Sequence, residues 1–328
     1  MLQKTLKLLY YSRAFSLPMS ILSWMVVFTF GVVNSGNILY GIIALLGICL
    51  AHLGTNVLDD YLDYKSLIKQ VDFNKEEYLK QSQKTKCRYI INGMVTEKKV
   101  LLIALKYFLL AFICGLFLFI KCGIGVFYFA VAGGLIALLY SPASRICLSE
   151  LMVALAYGPI LFGGVYYVMT GVYAKEAFLI CIPTMILTVV LVYIHTVMDY
   201  EFDTNENKCT IANRFDSQLD SLVVLKFLLI FAYLSVILLC VFDILDWQVF
   251  FVYLTIPLAV DFYKSMINYS CMPDSVPEKK WYHFPMENLE TLKQNGEAGF
   301  MIRMYQSRNL MVYFSILLVI SIILSLWV

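Results

Sequence analysis

Long apolar stretches separated by short polar breaks run the length of the 328-residue chain. A helix crosses the hydrocarbon core of a bilayer with about 20 residues. On that measure nine spans are predicted: Leu17–Val33, Ile38–Leu58, Val100–Ile120, Gly123–Tyr140, Leu151–Val172, Ala177–Met198, Leu222–Phe242, Trp247–Tyr263 and Leu310–Trp327. The eighth is the least regular, being short and interrupted by Pro257 and Asp261. The first follows Lys4, Lys7 and Arg13, as the core of a signal peptide would. No small-residue cleavage site comes after it and a second apolar run starts almost at once, so it reads as a true span.

Composition narrows the class without changing that picture. The chain is 61% hydrophobic and 15% charged, with a mean hydropathy of +0.77, whereas soluble chains run at roughly half apolar and a quarter charged. Aromatic content excludes disorder, and nine cysteines scattered singly exclude a disulfide scaffold. The expected fold is an all-α polytopic membrane protein, a single transmembrane domain over residues 1–328 with two four-helix pseudo-repeats and a ninth span.

Charge adds orientation. With the N-terminus inside, the cytoplasmic segments are 1–16, 59–99, 141–150, 199–221 and 264–309. Of the 25 Lys and Arg only Lys121 and Lys175 fall on the other side, leaving 23 on or beside these segments. The positive-inside rule therefore places the N-terminus in the cytoplasm and the C-terminus outside, in a membrane expected to be the bacterial inner membrane. Chemistry reached from water would face the cytoplasm through the loops 59–99, 199–221 and 264–309. The last of these holds Pro273, Pro277 and Pro285, then a Met286/Leu289/Leu292 spacing that predicts an interfacial amphipathic helix. Ser66–Lys86 reads as a polar cytoplasmic loop. The cysteines show no metal-ligand spacing, and those on the cytoplasmic side are expected to be reduced thiols.

Two acidic clusters carry the candidate chemistry. The stretch TNVLDDYLDYK supplies Asn56, Asp59, Asp60 and Asp63. At about 100° per residue, positions 56, 60 and 63 fall within about 60° of one helical face, with Asp59 beside it. The stretch HTVMDYEFDTNENK places Asp199 and Asp203 one turn apart, with His195 a turn earlier. Neighbouring carboxylates repel unless a cation lies between them, and hard oxygen ligands at a solvated helix end suit Mg²⁺ shared with phosphate oxygens. The plainer alternative is that these acids simply end helices at the membrane surface. It weakens because each cluster closes the second helix of a four-helix set. A diphosphate held there would need basic partners, for which Lys65, Arg88, Arg145, Lys208 and Arg214 are candidates; the alternative for each is a positive-inside anchor.

Taken together these stretches resemble the UbiA superfamily of intramembrane prenyltransferases. TNVLDDYLDYK is similar to its first Asp-rich motif, nearest the form N-x-x-N-D-Y-x-D-Y-K of 1,4-dihydroxy-2-naphthoate polyprenyltransferases in menaquinone synthesis. SRAFSLP resembles the Arg-Pro-x-Thr-Leu lead-in to the first span. SELMVALAYGPILFGGVYYVMTG resembles the fifth span at Glu150, Val153, Gly158, Pro159, Gly163, Tyr166, Tyr167, Thr170 and Gly171, and Asp199–Thr210 resembles the second Asp-rich motif. The resemblance implies metal binding by Asn56, Asp59, Asp60, Asp63, Asp199 and Asp203, with Asp60, Asp63, Asp199 and Asp203 catalytic. It implies diphosphate contacts from Asn56, Lys65, Arg88, Arg145 and Lys208. An acceptor pocket would draw on Tyr140, Tyr166, Tyr167 and His195, with Tyr193 a further candidate and core packing the alternative for each tyrosine. Departures from the family pattern are His195 for its usual Asn, Met198 for its Arg, Asp59 for its Asn, and a longer loop between Asp63 and Arg88.

The implied reaction is Mg²⁺-dependent transfer of a prenyl group from a polyprenyl diphosphate to an aromatic acceptor within the lipid bilayer. The fifth-span match favours 1,4-dihydroxy-2-naphthoate with loss of CO₂; 4-hydroxybenzoate, a tocopherol-type ring, a chlorophyllide or haem are alternative acceptors. A secondary transporter would also use membrane acids, but these lie at span ends and the two halves would be parallel repeats. A non-catalytic scaffold requires both clusters to be incidental. No nucleic-acid partner is implied.

Overall fold

The structure is a computed structural model describing residues 2–69, 87–205, 209–273, 275–294 and 296–325. Among these residues nine helices are long and apolar enough to cross a membrane: Ala14–Val33, Ile38–Leu67, Glu97–Cys122, Ile124–Ser144, Ser149–Thr170, Lys175–Met198, Gln218–Val241, Trp247–Cys271 and Ala298–Leu324, here spans one to nine. All nine predicted spans are present. No strand occurs among the described residues.

Local chemistry sets the ends of several spans. Pro18 opens the α-helical part of span one, Pro18–Val33, where its missing N–H costs nothing. The Asn37 side chain accepts from the Tyr40 N–H to start span two, and Ser217 accepts from the Asp220 N–H to start span seven. Gly123, at φ 86°, makes the one-residue turn between spans three and four. Span eight is irregular for the reason its sequence suggested: a 3₁₀ turn over Trp247–Thr255 passes into the α-helix Ile256–Cys271, with Pro257 absorbed in its first turn.

Each span packs on the next in chain order, and span nine closes the ring against span one, while span five also crosses to spans one and two. Spans five and six are central, with 50% and 56% of their apolar windows buried; spans three and four are peripheral at 17% each and turn apolar side chains such as Leu109, Phe112 and Leu138 outward. The main apolar core joins spans one and five to nine. A separate cluster of Tyr11, Leu53, Val57, Tyr89, Ile90 and Val100 fastens the N-terminal segment and the short helix Arg88–Ile91 to spans two and three.

Four expectations change. Span two continues to Leu67, so the first acidic cluster lies inside a continuous helix rather than at its end. Span nine begins at Ala298, twelve residues before its apolar run, because Arg303, Gln306 and Asn309 are buried and hydrogen-bonded there. The amphipathic helix of segment 264–309 is a single short helix, Leu289–Gln294, with no fully buried residue. Cys147 and Cys209 form a disulfide rather than two free thiols, because the loop after span four meets the segment after span six. The polar stretch 70–86 lies outside the described residues.

Candidate active site at the charged end of the bundle

A cavity of about 1840 Å³ opens at the charged end and runs down between spans two to five, with contributions from spans one and six. Ligand sites for a single small molecule are roughly 300–1,000 Å³, so this one has room for two substrates. Its mouth presents Asp60, Asp63, Asp199, Asp203, Arg88 and Arg145. Its deep limb is apolar, walled by Phe112, Leu116, Phe119, Phe127 and Ile136. The limb stays open because Gly115 and Gly134 stand where an added Cβ would meet nothing within 4 Å.

Helical periodicity divides the first cluster. Asn56, Asp60 and Asp63 line the cavity, while Asp59, off that face, does not. Asp59 is 3% exposed, and its Oδ2 accepts from Arg13 Nη2 at 3.0 Å. The same Arg13 nitrogen lies 3.1 Å from Asp60 Oδ1 and donates to the Asn56 carbonyl at 2.9 Å. Asn56 answers by donating its amide to the Ser12 carbonyl and to Ser16 Oγ, each at 3.0 Å. These bonds hold the Arg13 backbone in the left-handed region, φ 51° and ψ 47°, a conformation that costs a non-glycine residue on the order of 1 kcal/mol or more. Burial by itself would lower the Arg13 pKa, but Asp60, Asp59 and the bond to Asp59 outweigh it and raise it. Tyr89, on the short helix beside this cluster, has its phenol pushed up by burial and then by the Asp60 charge.

The second cluster is built on a helix end. Asp199 is the residue at which span six stops, and its carbonyl accepts from the Asp203 N–H at 2.8 Å as the chain turns into the helix Tyr200–Asn205. Both side chains line the cavity, as Asp60 and Asp63 do. His195 is exposed to the same cavity and packs its ring 5.7 Å from that of Phe300.

Not every predicted contact faces the cavity. Lys65 turns away and pairs with Glu97 at the start of span three, 2.5 Å apart, because it lies on the far side of span two from Asp60. Tyr166 stacks on Phe30, and Tyr167 stacks on Tyr173 and donates to the Cys122 carbonyl. Both belong to the apolar core and neither lines the cavity. Tyr193 donates to the Ser221 carbonyl at 2.7 Å and is likewise core. Tyr140 and His195 do line the cavity. Arg214 lies against the disulfide, 3.4 Å from Cys147 Sγ and 3.0 Å from Cys209 Sγ. Lys208 lies outside the described residues.

Sequence reasoning passed over two cavity residues that the helical stripe could have supplied. His52 stands one turn before Asn56, at about −40° on the 100° wheel and so on the face of Asn56, Asp60 and Asp63. Tyr157 reaches the cavity from span five at a π turn, Ala156–Ile160, where Gly158 leaves helical angles (φ −98°, ψ −109°) ahead of Pro159.

Among the described residues no three His, Cys, Asp or Glu side chains converge into a ready-made metal cage. Mg²⁺ does not require one, since it is usually held by one or two carboxylates together with phosphate oxygens and water. Two pairs of hard carboxylates from spans two and six lining one cavity suit that chemistry; Asp59, turned to Arg13, is not among them.

A family model described as the UbiA prenyltransferase family matches residues 16–288. Among solved structures the chain is similar to a UbiA homologue from Aeropyrum pernix K1, with TM-score 0.57 and 12% identity over 92% of this chain and 97% of that one. It is also similar to a UbiA homologue from Archaeoglobus fulgidus bound to GPP and Mg²⁺, with TM-score 0.53 and 14% identity over 93% and 99%. A third similar structure is described as a digeranylgeranylglyceryl phosphate synthase, with TM-score 0.54 and 14% identity over 97% and 99%. No curated protein sequence matches.

Proposed function

Since the chain belongs to the UbiA prenyltransferase family and is therefore a prenyl-transferring membrane enzyme, we propose that it moves a polyprenyl group from its diphosphate to an aromatic acceptor. Of the acceptors, 1,4-dihydroxy-2-naphthoate is preferred, giving a demethylmenaquinone with loss of CO₂. The observation that carries the reading is the polarity of one cavity: paired carboxylates and arginines at the mouth, and an open apolar limb below. The Archaeoglobus fulgidus homologue, bound to GPP and Mg²⁺, supports it.

Asp60 and Asp63, with Asn56, and Asp199 and Asp203 of the second cluster would hold Mg²⁺, which when bound supplies charge neutralisation for the departing diphosphate. Arg88 and Arg145 add fixed positive charge at the same mouth. The apolar limb takes the prenyl tail and excludes water from the allylic carbon as its C–O bond breaks. An electron-rich ring carbon then attacks, and the carboxylate it bears leaves as CO₂. The asymmetry of Lys and Arg supports a mouth that faces the cytoplasm.

Purified protein offered a polyprenyl diphosphate and a panel of acceptors, with and without a chelator, tests the reading by product mass. The expected product is a prenylated, decarboxylated naphthoquinol formed only with Mg²⁺. Transfer solely to a prenylated glyceryl phosphate, the chemistry named for one structural neighbour, would overturn the aromatic acceptor. Equal yield in chelator would overturn the metal assignment.

A further inference from the structure

We propose that Tyr157, set by His52 and Ser20, is the hydrogen-bond donor that binds an oxygen of the acceptor and fixes which ring carbon meets the prenyl group. The inference deepens the aromatic-acceptor reading and rests on it.

Hydrogen accounting around His52 carries the argument. Ser16 Oγ donates its one hydrogen to the Arg13 carbonyl at 2.8 Å and accepts from Asn56 Nδ2. Towards His52 Nε2, 3.0 Å away, it is therefore an acceptor, so Nε2 carries the ring hydrogen and Nδ1 is bare. Two hydroxyls approach Nδ1: Ser20 Oγ at 2.7 Å and Tyr157 Oη at 3.1 Å, the latter also 3.4 Å from Nε2, whose hydrogen already points to Ser16. One lone pair accepts one hydrogen. Ser20 is fully buried and nearer, so it takes that place. The Tyr157 hydrogen is left to turn between Ser20 Oγ and whatever oxygen occupies the cavity that Tyr157 lines.

Backbone and electrostatics point the same way. Tyr157 lies in the π turn of span five, and irregular backbone at membrane depth is tolerated where it lines a cavity; such turns recur at functional sites. The mouth is taken up by the diphosphate and its Mg²⁺, so a donor for an acceptor oxygen belongs deeper than Asp60 and Asp63. His52 stands one turn below Asn56, between the carboxylates and the apolar limb. The donor thus sits where the diphosphate ends and the tail begins.

Steady-state rates for Tyr157→Phe and His52→Gln test this, varying each substrate separately. For Tyr157→Phe the acceptor KM is expected to rise about tenfold or more, the loss from one hydrogen bond to a charged oxygen, with the prenyl diphosphate KM and the Mg²⁺ requirement unchanged. His52→Gln should raise the same KM by a smaller factor. A Ser20→Ala variant and thermal unfolding of all three exclude a merely misfolded site. An unchanged acceptor KM in Tyr157→Phe, or equal rises for both substrates, would overturn the inference. Failure of the wild-type protein to prenylate any aromatic acceptor would instead overturn the acceptor reading on which it rests.

Discussion

The two acidic clusters face one cavity but are built in opposite ways. The first lies within a continuous helix, where Asp60 is 1% exposed and Arg13 is bound into it from the segment before span one. The second straddles the end of span six, where Asp199 is half-buried and stands against the negative end of the helix dipole. The first cluster is thus tied by Arg13 to the segment before span one, so its carboxylates hold the fold together as well as line the cavity. At the second cluster the proposed Mg²⁺ would lie beside carboxylates at a helix C-terminus, whose dipole also favours a cation. One pair of carboxylates is set within a continuous helix and the other at a helix end.

That contrast can be broken experimentally. The largest effects are expected from Asp60→Asn and Asp199→Asn, each lowering prenyl transfer by about 100-fold or more if it removes a charge that stabilises the departing diphosphate. Asp60→Asn should also lower the thermal stability of the detergent-solubilised protein, by on the order of 3 kcal/mol and more than Asp199→Asn does, because Asp60 is fully buried against Arg13 whereas Asp199 is half-buried. Equal losses of stability in the two variants would erase the distinction between the clusters. Next in size, Asp59→Asn should destabilise by about 2 kcal/mol through the same arginine while leaving the Mg²⁺ concentration for half-maximal rate unchanged. A tenfold shift in that concentration would return Asp59 to the metal site. Smallest are Lys65→Ala and Tyr167→Phe. Loss of a half-exposed ion pair is worth about 0–1 kcal/mol and loss of the bond to the Cys122 carbonyl about 1 kcal/mol, and transfer should stay within about threefold of wild type in both. A tenfold fall in Lys65→Ala would put that lysine back on the diphosphate.

Much of this was legible in the chain. All nine spans follow from apolar length, and the cavity-facing trio Asn56, Asp60 and Asp63 follows from helical period alone. The same period set Asp59 off that face, and the resemblance to a family motif overrode what the geometry said. Lys65, Tyr166 and Tyr167 show the limit of motif transfer: a residue type in register need not face the site when its helix presents it to another neighbour. Arg13 was visible as a match to the lead-in of span one, but its partner lay 46 positions away, a distance no local pattern bridges. His52 was missed because one polar residue in an apolar run was not carried onto the stripe drawn four positions later. The early start of span nine was hidden because buried Arg303, Gln306 and Asn309 are satisfied by loop and helix partners far off in sequence.

The Cys147–Cys209 bond has a consequence for handling the protein as material. Its two ends are 62 positions apart and enclose the whole of spans five and six, so that stretch is a covalent ring threaded twice through the bundle. A protease that cuts the turn after Gly171, at the far end of these spans, opens the ring without parting the chain. The nicked protein should run at full size on a denaturing gel until a reductant is added, and only then fall into two pieces, each carrying one acidic cluster.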